Sequence, residues 1–190
     1  MEKERRIVLE NLKSGNGILY DVKLRRQIKD KLCWASVVES IAYYSGKNNE
    51  LYSQDLLCDL EGNEEIDPFE YLSEIRDKDM YTCEKPSKLK IKDMKAFIQD
   101  ENAPIVCATP YDKKCDEGLH YILIVGYITI DKIFYIITKD PLQKGKKKNE
   151  FVTCDITQFS TFKKNICGFI YSEFSQDFAC KYCGHIDCDR

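Results

Sequence analysis

The chain has 190 residues, 43% of them hydrophobic and 32% charged, with a formal net charge of -3. That length suits one domain, and the apolar content is enough to build a core, which excludes a disordered chain. A charge balance this near neutral excludes nucleic-acid binding through overall charge. The longest apolar stretch, Tyr121 to Ile128, is less than half of the ~20 residues a membrane span needs.

The charged N-terminus, Met1-Glu2-Lys3-Glu4-Arg5-Arg6, is followed by no apolar run and does not read as a secretory signal. A cytoplasmic location is the default expectation, with export by a non-classical route left open. The first 20 residues read as a weakly ordered lead-in with a turn at Ser14-Gly15-Asn16-Gly17. Leu24 to Leu32 is polar and leads into Cys33. From Cys33 to Ser45 the residues Trp34, Val37, Val38, Ile41, Ala42 and Tyr44 recur at helical spacing, and Gly46 stands at a C-cap position. Ser53 is placed to cap a short helix through Leu60. Asp67-Pro68 opens another helix that runs to about Asp77. A further helix spans Lys92 to Asp100, with Met94, Phe97 and Ile98 on one face.

After Pro104 the period changes. Ile105–Thr109, Leu119–Ile130, Lys132–Lys139, Phe151–Cys154 and Cys167–Phe174 are rich in Ile, Val, Tyr and Phe and read as strands. Helices first and strands second predict an α+β fold, with an antiparallel sheet packed on helices. The one basic run, Lys144 to Lys148, reads as a solvated hairpin loop.

The chain has ten cysteines, below the density of a disulfide scaffold, so reduced thiols are expected. Cys107 and Cys167 sit among apolar neighbours and read as small buried hydrophobes. Cys33 differs from them, because it opens the predicted buried helix. A helix N-terminus presents unpaired N–H groups and partial positive charge, both of which favour thiolate over thiol. The Cys33 N–H can also face an oxyanion formed in front of the helix, and Gln27, six residues upstream, can supply a second donor if the loop folds back. The bland alternative is a core cysteine beside a surface glutamine.

Only two histidines exist, His120 and His185. His120 opens the strand Tyr121–Val125, and the next strand ends at Lys139-Asp140-Pro141. With the turn centred on Ile130, residues facing each other across the hairpin have a constant index sum of 260. His120 is then expected directly opposite Asp140, where a carboxylate can orient an imidazole.

Gln27, then Cys33-Trp34 opening a helix, then His120 at a strand start and Asp140-Pro141 at the next strand end: this order resembles the papain-like cysteine peptidases. Within them it is most similar to the small bacterial branch that includes bacteriocin leader peptidases and papain-like effector proteases. The resemblance covers residues 20 to 172. It implies a papain-like fold, in which a central nucleophile helix packs on a C-terminal antiparallel sheet. It also implies Cys33 as nucleophile, His120 as general base, Asp140 as orienter, and Gln27 with the Cys33 N–H as oxyanion hole. The implied reaction is peptide-bond hydrolysis through a thioester, with a peptide or protein as partner and no cofactor for catalysis. The chain departs from the family in two respects. Asp140 stands where the plant enzymes carry asparagine, and Leu32 and Trp34 flank the nucleophile in place of glycine. Two other functions fit the same residues: a deamidase or transglutaminase-like enzyme on this triad, and an inactive binding module.

The tail from 173 to 190 reads as a separate segment appended to the 1–172 domain. It carries Cys180, Cys183, His185 and Cys188, four donors of the type a structural zinc ion takes, with a disulfide as the alternative.

Overall fold

The computed structural model describes residues 10–47, 50–62, 64–77, 80–84, 89–111, 118–144, 147 and 150–172. The predicted tail cluster of Cys180, Cys183, His185 and Cys188 lies outside these residues. Among the described residues from 14 onward, the helices are α1 (Cys33–Tyr44), α2 (Gln54–Glu61), α3 (Phe69–Arg76), α4 (Ile91–Glu101) and α5 (Phe159–Phe162). Seven strands are β1 (Gly17–Leu19), β2 (Met80–Glu84), β3 (Ile105–Pro110), β4 (Leu119–Ile130), β5 (Ile133–Lys139), β6 (Asp155–Gln158) and β7 (Gly168–Ser172). They form one antiparallel sheet in the order β2-β7-β3-β4-β5-β6, with β1 paired to β4 beyond the end of β3. The α+β class read from the sequence is the class observed.

Side chains alternate along the strands and so build two cores. Val106, Ala108, Tyr121, Leu123 and Val125 face α1, α2 and α3, meeting Trp34, Val38, Ile41, Leu57 and Leu72. Ile105, Cys107, Ile122 and Ile124 face the other way, meeting Met94, Phe97 and Ile98 of α4 and Phe159 and Phe162 of α5. The predicted helices lie within a residue or two of their expected limits. Ser53 caps α2 as its sequence implies, its hydroxyl accepting the Leu56 N–H at 3.3 Å.

The β4–β5 hairpin corrects the expected register. Its loop is Asp131-Lys132, both with positive φ as a type I′ turn requires. The index sum is 263 at the turn, where Ile130 faces Ile133, and 262 beyond a bulge, where Leu123 faces Lys139. Asp140 therefore lies two places away from facing His120.

The bulge falls between Ile124 and Gly126, where β1 crosses closest to β4. A Cβ on Gly126 would sit 2.0 Å from the Ile18 carbonyl oxygen. Gly126→Ala is expected to push β1 off the sheet and cost about 2 kcal/mol or more, read as a lowered urea midpoint.

Four further expectations change. Gly17–Leu19 is a strand of the sheet rather than part of a loose lead-in. The segment predicted as strand Phe151–Cys154 pairs elsewhere: Val152 N–H donates to Leu24 O at 2.9 Å, Arg26 N–H to Glu150 O at 2.8 Å, and β5 takes Asp155–Gln158 instead. The edge strand β2 and the one-turn helix α5 have no counterpart in the sequence reading; each is too short for a periodic signal. Cys33, Cys58, Cys107 and Cys154 are free thiols, but Cys167 is disulfide-bonded, against the expectation of a reduced, merely buried residue. Sequence cannot show which sulfurs approach within bonding distance. Among the described residues, no helix is long and apolar enough to cross a membrane, and no group of three metal-ligating side chains occurs.

Candidate active site

Cys33 is the first residue of α1, and the helix start is bare. Leu32 at the N-cap offers no side-chain cap, and the first turn carries no acidic residue. Neither a cap side chain nor a first-turn carboxylate therefore competes for the helix's N-terminal N–H groups. The sulfur reaches the sheet where a strand runs out. The β4–β5 ladder stops at Leu123 and Lys139, so β4 extends past the end of β5. Just there the Tyr121 N–H donates to Cys33 Sγ at 3.5 Å.

His120 is the residue before Tyr121. Its Nε2 meets Asp140 Oδ1 at 2.7 Å. The contact survives the register correction because residues two places apart on facing strands are diagonal neighbours on one face. Asp140 is itself held, its Oδ1 accepting the Leu142 N–H at 2.7 Å. The His120 side chain is 9% exposed, and its Nδ1 is buried without a hydrogen-bond partner. The Cys33 thiol acts on this ring electrostatically without completing a hydrogen bond to Nδ1. The Tyr111 ring stands edge-on to the imidazole, with centroids 6.1 Å apart.

Burial works against a charged imidazole, but the Asp140 hydrogen bond, helped by Cys33, outweighs it and raises His120 from 6.5 to about 9. Burial likewise opposes ionisation of Asp140, yet the His120 bond and the Leu142 N–H hold it below its usual value. The ring is thus an imidazolium at neutral pH. Because the folded value lies above the unfolded one, the stability the pair contributes is complete below 6.5 and is lost as pH rises through about 9. Thermal unfolding followed from pH ~6 to ~10 should show this decline in the wild type and lose it in His120→Gln.

Gln27 is 4% exposed. Its backbone N–H donates to the carbonyl of Pro141, the residue after Asp140, at 3.1 Å. Its side-chain Nε2 gives one proton to Lys29 O at 2.8 Å, and its Oε1 is buried and unpartnered. The segment before it is clamped on two sides. Residues 24–26 bond to residues 150–152, as above, while the Ser36 and Ser40 hydroxyls of α1 donate to the Arg25 and Lys23 carbonyls, and Arg25 pairs with Glu39.

All four residues singled out in the sequence thus converge. Cys33 touches the backbone beside His120, His120 touches Asp140, and Gln27 is tied to the residue after Asp140. Sequence reasoning did not find the Tyr121 N–H or Glu65, whose Oε1 accepts the Leu119 N–H at 2.7 Å. Neither carries a local signal, since both contacts join segments 88 and 54 residues apart.

No protein-family model matches the chain, and no curated protein matches it significantly.

Proposed function

We propose that the chain is a papain-like cysteine peptidase. The observation that carries this reading is the buried His120, bonded to Asp140 through Nε2 and open at Nδ1 beside a cysteine that begins a helix. A nucleophile, a base and a group that orients the base are thereby in one place. The packing of α1 against β4 supports the papain-like arrangement.

In the reaction, Cys33 Sγ attacks the carbonyl carbon of a peptide bond, with His120 holding the thiol proton. The C–N bond breaks as His120 passes that proton to the leaving nitrogen, and an acyl thioester remains on Cys33. Water, deprotonated by His120, then attacks the thioester and frees the acid. The carbonyl oxygen, negative in each tetrahedral intermediate, is met by the Cys33 N–H and by a Gln27 N–H not used on Lys29. Asp140 keeps the ring correctly turned throughout and favours its charged form whenever it holds the proton.

The test combines labelling and product mass. Cys33, itself only 2% exposed, should nonetheless alkylate faster than Cys107, which is fully buried and whose thiol is pushed far up by that burial. A peptide library incubated with the protein should yield split products. A mass gain of about one unit on glutamine, without splitting, would assign the thioester to deamidation instead. An unreactive Cys33 would leave a binding module. The zinc expectation for Cys180, Cys183, His185 and Cys188 remains part of the proposal for the tail, checked by metal analysis of the purified chain.

A further inference from the structure

The segment Glu64-Glu65-Ile66-Asp67 is pinned at both walls of the candidate site. The Trp34 indole N–H, from the residue after the nucleophile, donates to Glu64 O at 3.0 Å. The Leu119 N–H, from the residue before the base, donates to Glu65 Oε1 at 2.7 Å. Asp67 Oδ1 accepts the Phe69 N–H at 3.1 Å and so is fixed at the start of α3. Glu64, Glu65 and Asp67 are exposed. Among the described residues, no lysine or arginine forms an ion pair with any of the three. Asp67, Cys33 and Glu65 all act on the one Tyr121 hydroxyl, which places the carboxylates and the thiol in a shared field. Next to Leu119 in the same site, the His120 side chain is more than nine-tenths buried and its Nδ1 is unpartnered, a polar atom left for an incoming group.

We infer that Glu65 and Asp67 select substrates carrying a cationic side chain, lysine or arginine, within a few residues of the bond attacked. The inference rests on the peptidase reading for the identity of the bond, but not for the charge preference of the site. An arriving cation would replace the water now solvating the two carboxylates, and the chain's overall charge of -3 is too small to give such a preference by itself.

The experiment uses Cys33 as the probe. Two methanethiosulfonate reagents of the same reactivity, one bearing a trimethylammonium group and one a sulfonate, are timed against Cys33 in the full chain. The comparison is between wild type and Glu65→Gln/Asp67→Asn. Both substitutions keep the accepting oxygen that bonds Leu119 or Phe69, so the fold is retained. At low salt the cation-to-anion rate ratio should fall about fivefold in the variant, and high salt should erase the difference. A peptide library run alongside should be cleaved next to lysine or arginine by the wild type, with that preference weakened in the variant. An unchanged ratio, or cleavage indifferent to basic residues, overturns the inference and leaves the peptidase reading intact. A ratio that falls while no peptide is split overturns the peptidase reading and upholds the charge preference.

Discussion

Cys33→Ala is expected to reduce turnover about 10,000-fold or more while leaving the fold in place. The sulfur accepts the Tyr121 N–H at 3.5 Å, a long bond on which little structure depends. Its removal leaves a space smaller than a methylene cavity in the helix-side core, a cost of about 1 kcal/mol. Circular dichroism and thermal unfolding read the second effect, and peptide cleavage reads the first. Full activity in this variant would end the nucleophile assignment.

The second large effect is expected at Asp140. Asp140→Ala removes both the partner of His120 Nε2 and the acceptor of the Leu142 N–H. It should cost about 100- to 1,000-fold in kcat. Asp140→Asn keeps a carbonyl oxygen for both bonds and loses only the charge, so about 10-fold is expected. The two variants share a signature in the pH profile. The wild-type rate should fall above about 9, as the imidazolium that protonates the leaving nitrogen loses its proton. Without the carboxylate the main opposition to burial is lost and Cys33 alone remains, so this alkaline limb moves down from about 9. An alkaline limb that stays in place in Asp140→Asn would show that Asp140 does not set the ring's charge.

Much of the site was legible because its signals are local. The helix at Cys33 shows in the spacing of Trp34, Val37, Val38 and Ile41, each of them fully buried against the sheet. The strand after His120 shows in its run of β-branched and aromatic residues. What failed was register. Asp131-Lys132 contains neither glycine nor asparagine, so the turn that both residues make with positive φ has no sequence mark. The bulge at Gly126 is set by the passage of β1, a contact from more than a hundred residues away. These two features moved Asp140 out of direct opposition, and only the diagonal reach of side chains preserved the pair. The Phe151–Cys154 segment looks like a strand and does pair, but with residues 24–26, because hydrophobic pattern does not name a partner.

The bond from Gln27 N–H to Pro141 O joins positions separated by most of the described chain. During synthesis Cys33 leaves the ribosome long before His120, and Asp140 comes last of the four. Until Asp140 and Pro141 emerge, His120 lacks its carboxylate partner and Gln27 lacks the acceptor of its backbone N–H. On the peptidase reading a nascent chain is therefore expected to be silent, as is any molecule in which β5 has frayed at its end. Turnover would then come only from the finished fold and would report the docking of the β4–β5 hairpin against the Gln27 segment.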